Sequence, residues 1–374
     1  MEYRFSIADI LSHVAAEMVV SRLIYSMEGI SNVYYDGNAK DIVVEYTTTN
    51  DLQYFQSTIE KLVEQQQGQR TVVPSLIRDT KKNVSNNVSD ASIEAVFEFD
   101  GSVRRGIAVE LFKKYDKLFD QIAQRLDVQN RKYPSLIARD TLSKCNYFTS
   151  FPQNVLFVSE FPHRIDVLEK VKTTDNYQEL TRHNEFVLSP AVCFHCYEEF
   201  SNCIIENNLM LTSVGTCYRH EAPWRVGGQR LNEFTMREVI FIGDSLFVEE
   251  KRQQLIDEIW GLFEELGFSG RIETASDPFY FPKDYSTKGQ YQLLSSMKYE
   301  LLYDNGKNKS FSIVSFNNVQ DTLCKEFNIR NSSGDIKHSG CVAFGIDRWV
   351  YATLLTYGTD INKWPQDVKE KLDI

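Results

Sequence analysis

The chain has 374 residues, of which 42% are hydrophobic, 25% are charged and 13% are aromatic. This length predicts two domains with a large core, and the composition excludes the disordered and fibrous classes of protein. Lysine and arginine number 41 against 52 aspartate and glutamate residues, so the net charge is −11. A field of that sign repels phosphate backbones and argues against a nucleic-acid partner unless one face of the protein is locally basic.

The amino terminus and the cysteines indicate the compartment. Residues 1–13 have no apolar run of signal-peptide length, and no apolar stretch of 18 residues occurs in the chain. We therefore expect a cytoplasmic protein with no membrane partner. The seven cysteines are an odd number spread over a long chain, which favours free thiols or metal-bound thiolates over a disulfide framework.

The first 69 residues are predicted to form a strand, a helix, two strands and a second helix. Apolar residues recur at helical spacing over 14–27, and β-branched and aromatic runs cover 30–35 and 42–46. The sequence Asp36-Gly37-Asn38 is a turn signal between the two strands.

A polar stretch follows this small α/β unit. Residues 65–92 are rich in glutamine and then in asparagine and serine, which predicts a linker. We place the boundary near residue 85, so the expected domains are an amino-terminal α/β domain (1–85) and a larger domain (86–374).

Two amphipathic helices are predicted in the larger domain. The first covers 107–126, and its apolar stripe should pack against a sheet or a second subunit. The stripe consists of Ile107, Leu111, Tyr115, Leu118, Phe119, Ile122 and Leu126. The second helix contains Leu255, Ile259, Phe263 and Leu266 and should end at Gly267.

Strand-like segments cover 147–158, 186–196, 214–218 and 233–242. Strands and helices do not alternate strictly, and neither G-x-G-x-x-G nor G-x-x-x-x-G-K-[ST] occurs. A nucleotide would therefore have to be bound by another device.

The most specific segment runs over residues 216–239. It predicts two antiparallel strands joined by a long loop, which displays Arg219, Glu221, Arg230 and Phe234 around one space. Cations, a carboxylate and an aromatic face together suit a purine nucleoside triphosphate. From charge content alone, a solvated hairpin with surface ion pairs agrees with the pattern about equally well.

Three segments resemble the motifs of class II aminoacyl-tRNA synthetases. R-x-E at 219–221, a loop and E-F-T-M-R-E at 233–238 resemble motif 2, and S-G-C-V-A-F-G-I-D-R at 339–348 resembles motif 3. Y-F-T-S-F-P at 147–152 resembles the motif 1 region. The resemblance implies that Arg348 grips the γ-phosphate of a bent ATP and that Pro152 lies at a dimer interface.

Within class II, the chain is similar to the amino acid:carrier protein ligases, which are truncated homologues of the atypical zinc-containing seryl-tRNA synthetases of methanogens. Similar segments follow in the right order at 275–279, 298–301 and 315–317, and the resemblance runs from about residue 98 to the carboxyl terminus. It implies an α+β fold with a class II catalytic core, an antiparallel sheet flanked by helices. The element order of the amino-terminal domain suggests a ferredoxin-like unit.

The resemblance also implies a zinc site. The family's ligands are a cysteine before motif 2, a glutamate at its end and a cysteine opening motif 3, which match Cys193, Glu238 and Cys341. Two thiolates and a carboxylate suit zinc and leave one position open for the α-amine of the substrate. Three unrelated residues, or a local site at Cys193-x-x-Cys196 with His195, are the alternatives, although no second C-x-x-C occurs.

Two positions depart from the family pattern. Ser312 stands where relatives usually carry a glutamate that helps to hold the magnesium ion bound to ATP. Asp347 replaces the usual glutamate before the motif 3 arginine, and we expect it still to orient Arg348.

The resemblance implies an AMP-forming, zinc-dependent ligase that uses ATP and Mg²⁺ to activate a small amino acid. Arg219 would hold the α-phosphate and the substrate carboxylate, and Arg348 and Arg230 the γ-phosphate side. Phe234 would stack on adenine, and Glu221 would contact the adenine amine or order the loop. The acyl group of the aminoacyl adenylate would then pass to the phosphopantetheine thiol of an acyl or peptidyl carrier protein.

The sequence features that bear on the acceptor of the acyl group are less specific. The chain has no recognisable anticodon-binding domain or coiled-coil arm, and its negative charge also argues against tRNA. Docking an acidic carrier protein needs a basic patch, and each candidate patch is also compatible with an ordinary solvated helix face. The candidates are Lys170 with Lys172, or the set Arg104, Arg105, Lys113, Lys114 and Lys117.

We also expect a homodimer in which the stripe of 107–126 is buried against a second copy. Two other functions stay open at this point. One is a tRNA-aminoacylating or other adenylate-transferring enzyme, and the other is a catalytically inactive paralogue that acts as a binding module.

Overall fold

The computed structural model describes residues 1–47, 52–69, 72–80, 89–98, 100–281, 285–306 and 310–374. Its strands are β1 (Glu2–Ser6), β2 (Ile30–Asp36), β3 (Asp41–Tyr46), β4 (Leu76–Asp79), β5 (Gln129–Asn130), β6 (Leu136–Ala138), β7 (Phe157–Glu160), β8 (Arg182–Leu188), β9 (Leu209–Tyr218), β10 (Glu233–Gly243), β11 (Gly270–Thr274), β12 (Lys298–Asp304), β13 (Ser310–Gln320) and β14 (His338–Gly345).

The α-helices are α1 (His13–Leu23), α2 (Leu52–Gln66), α3 (Asp90–Glu94), α4 (Ile107–Gln124), α5 (Arg139–Lys144), α6 (Tyr147–Ser150), α7 (Ile165–Lys170), α8 (Cys193–Glu199), α9 (Ser245–Glu265), α10 (Gln290–Leu294), α11 (Thr322–Glu326), α12 (Ile346–Tyr357) and α13 (Gln366–Leu372). Within the described ranges, none of the helices combines the length and the apolarity that crossing a membrane requires.

The amino-terminal unit is a three-stranded antiparallel sheet, in the order β1-β3-β2, covered by α1 and α2. Ser12 begins α1 because its hydroxyl accepts a hydrogen bond from the amide of Ala15. Ile42 and Val44 alternate towards the helices and are fully buried with Val19 of α1. The predicted order of strand, helix, two strands and helix is confirmed.

The second sheet has eight strands in the order β4-β11-β12-β13-β14-β10-β9-β5, and every pair except the parallel β5–β9 pair is antiparallel. Helices α4, α9 and α12 pack on one side of it. The predicted α+β fold, with an antiparallel sheet flanked by helices, is confirmed.

Side-chain alternation divides the large sheet into two faces. Phe241 of β10 and Phe344 of β14 belong to the main hydrophobic core beneath the helices. Glu238 lies on β10 three positions before Phe241, and Cys341 lies on β14 three positions before Phe344. Because successive side chains of a strand alternate between its faces, both point to the opposite face, which we call the site face. The site face carries the polar residues that the sequence singles out.

Strand β4 lies inside the stretch that the sequence predicts to be a linker. It pairs with β11 at the edge of the large sheet, with Arg78 opposite Ile272. The linker prediction is therefore wrong for these residues. The backbone of a short segment within a polar stretch can still pair with the exposed edge of a sheet. The predicted boundary near residue 85 falls within 81–88, outside the described residues, and the division into two domains stays a prediction.

Helix α4 confirms the predicted 107–126 helix but not the role given to its stripe. Leu111, Tyr115 and Phe119 are 0% exposed within the single chain. Phe119 stacks on Phe344 with the ring centroids 4.5 Å apart, and the Tyr115 hydroxyl lies 2.6 Å from the Thr353 hydroxyl. The expectation that this stripe is buried against a second copy is therefore wrong, since the sheet and α12 already cover it.

Two predicted strands are wrong in part. Residues 147–150 form α6 and 152–154 a 3-10 turn, so only the end of the predicted 147–158 strand, at β7, is extended. In the 186–196 segment, β8 ends at Leu188 before Pro190, and Cys193 begins α8. Aromatic residues favour strands, but Tyr147, Phe148 and Phe151 pack into a small hydrophobic cluster from a helical turn. The helix predicted to end at Gly267 is α9, and Gly267 adopts φ +65°.

Candidate active site

The predicted hairpin is present. Strands β9 and β10 are antiparallel, from Glu233 opposite Tyr218 to Ile242 opposite Leu209, and residues 219–232 join them. In this hairpin loop Gly228 has φ +52°, and a Cβ at this position would lie 2.5 Å from Cζ of Tyr351. Only glycine fits there without displacing the tyrosine ring, so the path of the loop is specified by its sequence.

Three guanidinium groups converge above the site face: Arg219, Arg230 and Arg348, here called the arginine cluster. Burial and then the positive charges of Arg230 and Arg219 together lower the pKa of Arg348 to about 10. Arg348 Nε donates to the Gln229 carbonyl at 2.8 Å and Nη1 to the Ser312 carbonyl at 2.7 Å. Both acceptors are neutral carbonyls, so these bonds leave the positive charge of Arg348 available to a polyanionic ligand.

The aromatic face lies directly beside this cluster. The Arg219 guanidinium carbon is 5.2 Å from the centre of the Phe234 ring, within cation–π range. Arg219 also donates from Nε and Nη2 to the Pro190 carbonyl at 3.3 and 3.2 Å. The structure thus brings together the arginines and the ring that the sequence predicts to share one space.

Glu221 is the carboxylate of the hairpin loop and is only 7% exposed. Its two oxygens lie 3.1 and 3.3 Å from Arg230 Nη1, and Oε2 accepts a 2.7 Å hydrogen bond from the Tyr25 hydroxyl. Burial raises the pKa of Glu221, but Arg230, Tyr25 and Arg225 outweigh burial and hold it below its ordinary value. Glu221 is therefore ionised and held between a loop arginine and a residue just after α1.

Cys193, Glu238 and Cys341, here called the cysteine cluster, meet on the site face. One ligand atom from each lies within 4.8 Å of the others, and all three side chains are buried. Glu238 pairs with Ala343, two residues from Cys341, so the strand register makes Glu238 and Cys341 diagonal neighbours. Cys193 comes from the first turn of α8. The three residues, distant in sequence, are brought together as predicted.

The donor set of the cysteine cluster fits a zinc ion. Glu238 Oε1 accepts from the Val192 amide at 2.9 Å, whereas buried Oε2 has no hydrogen-bond partner within the described residues. The hydrogen bond with Cys341 and burial raise the pKa of Cys193, and burial raises that of Glu238. A divalent cation would satisfy the orphaned oxygen and stabilise both thiolates.

Cys196 and His195, the other two members of the alternative local site, do not join this cluster. Cys196 is fully buried among apolar side chains. His195 Nε2 lies 3.1 Å from the Ser189 hydroxyl, and its ring stacks on Tyr133. Within the described ranges, Cys193 is therefore grouped with Glu238 and Cys341 and not with Cys196.

A third polar group, unassigned from sequence, lies on β12 and the segment before it. Lys298 Nζ is 2.7 Å from Asp277 Oδ1 and 2.9 Å from Glu300 Oε1. Burial raises the pKa of Asp277, but Lys298 outweighs burial and lowers it overall. The charge of Asp277 also acts on Arg219, so this lysine cluster (Asp277, Lys298 and Glu300) adjoins the arginine cluster.

The two departures from the family pattern have structural counterparts. Ser312 brings no carboxylate, and its hydroxyl lies 3.3 Å from the Val314 carbonyl. Asp347 accepts hydrogen bonds from Arg104 at 2.8 Å and from the Thr235 amide at 2.6 Å. The expectation that Asp347 orients Arg348 is wrong, because consecutive residues at the start of α12 project about 100° apart.

Two residues with contacts to the site were missed from sequence. Asn317 Nδ2 lies 3.4 Å from Cys341 Sγ and orients that sulfur. Tyr25 reaches Glu221 across 196 positions of chain. Asn317 stands in a segment that the sequence singles out, but no local pattern marks Tyr25, because its role depends on how the amino-terminal unit is placed.

Residues 173–357 match the tRNA synthetase class II core domain (G, H, P, S and T). The chain is 28% identical over 251 residues to Amino acid–[acyl-carrier-protein] ligase 1 of Bradyrhizobium diazoefficiens, covering 65% of this chain and 76% of that protein. It is 26% identical over 280 residues to the Type-2 serine–tRNA ligase of Methanocaldococcus jannaschii, covering 70% of this chain and 54% of the relative. The chain thus spans about half the length of the serine–tRNA ligase.

Solved structures show the same fold. The crystal structure of A. aeolicus tRNASec in complex with M. kandleri SerRS matches with a TM-score of 0.71 at 19% identity, covering 100% of this chain and 77% of that chain. Cytoplasmic serine–tRNA ligase of Naegleria fowleri in complex with AMP matches with a TM-score of 0.59 at 12% identity, covering 86% and 78%. The predicted class II relationship and fold are confirmed.

Proposed function

The chain carries a class II aminoacyl-tRNA synthetase core, and from that premise we propose that it activates a small amino acid with ATP and transfers the acyl group to the phosphopantetheine thiol of a carrier protein. The observation that carries this proposal is the arginine cluster, in which three guanidinium groups lie close enough for their charges to act on one another, beside an aromatic ring and with one ion pair, between Arg230 and Glu221. Such a surplus of positive charge suits a triphosphate and the negative charge that develops during adenylation.

In the first step the residues act mainly by positioning. Arg219 holds the α-phosphate and the incoming carboxylate, and Arg230 and Arg348 hold the γ-phosphate side. Phe234 stacks on adenine with the ring face that Arg219 leaves free. A carboxylate oxygen of the amino acid attacks the α-phosphorus in line, pyrophosphate leaves, and the aminoacyl adenylate remains. ATP arrives as its magnesium complex, and Ser312 adds no carboxylate to that ion, so the three arginines carry more of the charge.

The cysteine cluster lies on the same face and selects the amino end of the substrate. Cys193, Glu238 and Cys341 would hold zinc, which supplies a Lewis acid for a neutral α-amine when it is bound. Asn317 keeps the Cys341 sulfur oriented, and the Val192 amide fixes one oxygen of Glu238. The amino acid then lies between the two clusters, with its carboxylate towards Arg219.

The similarity to Amino acid–[acyl-carrier-protein] ligases 1 and 2 of Bradyrhizobium diazoefficiens, each at 28% identity, supports a carrier protein as acceptor. Each basic residue of the set Arg104, Arg105, Lys113, Lys114 and Lys117 has an acidic partner in this chain. Lys170 and Lys172 are exposed at the end of α7 and just after it, and we assign the docking surface to them. Similarity to type-2 serine–tRNA ligases makes tRNA the second candidate acceptor.

We also propose that the enzyme is a cytoplasmic homodimer with 1–85 and 86–374 as its domains. The buried stripe of α4 gives no support to a dimer, but β5 ends the large sheet and offers an edge for a second copy. Light scattering should report twice the 43.3 kDa of one chain. A particle of one chain at micromolar concentration would contradict the dimer.

ATP–pyrophosphate exchange against all twenty amino acids tests the proposed function. We expect exchange with one or a few small amino acids, and Arg219→Ala should lower it by about two to three orders of magnitude. Arg125→Ala is the control, because Arg125 is 62% exposed and pairs with Glu258 outside the site.

Intact-protein mass spectrometry of holo-carrier proteins then tests the acceptor. A mass increase equal to the acyl group supports the proposal, and charging of bulk tRNA without carrier loading favours the second candidate. Exchange with none of the amino acids would indicate an inactive paralogue.

A further inference from the structure

The amino-terminal unit is packed against the hairpin loop. Ala222 and Trp224 belong to the same hydrophobic cluster as the core of that unit, and Ala222 is only 9% exposed. The turn Pro223–Arg225 contacts β2. One side of the loop therefore rests on the amino-terminal unit, while its other residues face the candidate ATP site.

One hydrogen bond links this support to the charged residues. Tyr25, just after α1, donates its hydroxyl to Glu221 Oε2 at 2.7 Å, and Glu221 in turn binds Arg230 at 3.1 Å. Hydrogen bonds to an ionised acceptor are about twice as strong as neutral ones, and Glu221 is too buried for water to replace the hydroxyl easily. The orientation of Arg230 thus depends on a residue that lies outside the synthetase core.

We propose that Tyr25 is a positioning residue of the ATP site, which acts through Glu221 to hold Arg230 and the hairpin loop in their nucleotide-binding arrangement. This inference rests on the proposed function and adds to it a task for the amino-terminal unit. Without the hydroxyl, Glu221 keeps Arg230 as its remaining side-chain partner, and the paired groups can turn away from the phosphates. The affinity for ATP should fall, while the adenylation step itself, which Arg219 governs, should change little.

A purely structural role for Tyr25 makes a different prediction, namely lower stability with unchanged kinetic constants. Tyr54→Phe is a matched control, because the Tyr54 hydroxyl also makes a 2.7 Å hydrogen bond in the same unit, but to the backbone carbonyl of Ser26, next to Tyr25, and not to Glu221. Both variants lose one hydroxyl and keep the ring.

The experiment uses the full chain with ATP as the ligand. In Tyr25→Phe the KM for ATP in pyrophosphate exchange should rise about 5- to 20-fold, with kcat and the KM for the amino acid within twofold of the parent. The dissociation constant of ATP by calorimetry should rise by the same factor. Tyr54→Phe should leave all of these values unchanged.

A double-mutant cycle shows whether Tyr25 acts through Glu221. In the Glu221→Ala background, Tyr25→Phe should cause no further change in the dissociation constant of ATP. Unchanged ATP binding in Tyr25→Phe, or an equal loss in both backgrounds, would overturn the inference and leave the proposed function intact. A parent protein that neither binds ATP nor exchanges pyrophosphate would overturn both.

Discussion

The arginine cluster and the cysteine cluster lie on the same site face but are supported differently. Two of the three arginines belong to the hairpin loop, whose position depends on Gly228 and on the amino-terminal unit. Two of the three residues of the cysteine cluster belong to paired strands in the middle of the large sheet, and the register alone makes them neighbours. The arginine cluster, the proposed nucleotide end of the site, thus rests on a loop, whereas the cysteine cluster, the proposed amine end, is fixed by the core.

The largest effect of a substitution is expected at the cysteine cluster. The purified protein should contain about one zinc ion per chain, and Cys193→Ser or Cys341→Ser should remove the metal and abolish exchange, because a serine hydroxyl does not replace a thiolate. Elemental analysis measures the metal. Cys203→Ser is the control, since Cys203 lies outside the cluster. Active enzyme without metal would contradict the assignment.

A substitution in the lysine cluster measures the free-energy cost of leaving a charge unpaired on the site face. Lys298→Met leaves Asp277 without its cation, and because 34% of the Asp277 side chain is exposed, the loss of stability should be about 2 kcal/mol, below that of a fully buried pair. Urea unfolding measures this loss. Lys363→Met, at a side chain that is 79% exposed, should change stability by less than about 0.5 kcal/mol.

The same variant has a pH signature. In the parent chain Lys298 holds the pKa of Asp277 below its ordinary value despite burial. Without Lys298, Gln292 and Arg219 are left to oppose burial, so the pKa of Asp277 should rise and the variant should lose the stability that the ionised carboxylate gives the parent above the unfolded pKa. Its stability relative to the parent should therefore fall as the pH rises from about 4 to 7. A loss of stability that is equal at both pH values would contradict this explanation.

A smaller effect is expected at the arginine cluster. Gly228→Ala forces a Cβ onto Tyr351 and a side chain into a left-handed conformation, which should cost about 1–3 kcal/mol in the loop. The KM for ATP should rise about tenfold while zinc content stays unchanged. Gly68→Ala is the control, because Gly68 has φ +74° with no atom within 4 Å of the added Cβ. An equal KM in both variants would show that the loop is not constrained at Gly228.

The smallest effect concerns the acceptor. Reversing the charges of Lys170 and Lys172 should slow thioester formation about 3- to 10-fold and leave pyrophosphate exchange unchanged, because only the encounter with an acidic partner is altered. Lys61→Glu, on the exposed side of α2, serves as the control. If carrier loading is unaffected by the reversal, the docking surface lies elsewhere.

The sequence predicts those parts of the molecule whose pattern is local. The hairpin, α4, α9 and the element order of the amino-terminal unit follow from periodicity and turn residues, and the convergence of Cys193, Glu238 and Cys341 follows from the family resemblance. Two of the errors share a cause. The strand β4 and the partner of Asp347 each depend on a neighbour far away in the chain, and single-sequence periodicity carries no information about that neighbour.

Strand β4 attaches the amino-terminal unit to the large sheet, which affects how readily Tyr25 meets Glu221. The chain runs from Gln66, the last residue of α2, to Leu76, the first residue of β4, and is then fixed to the edge of the large sheet. The amino-terminal unit is therefore a tethered ligand of its own hairpin loop, with an effective concentration on the order of millimolar for so short a connection. The covalent connection thus raises the local concentration of Tyr25 around Glu221 and favours their hydrogen bond.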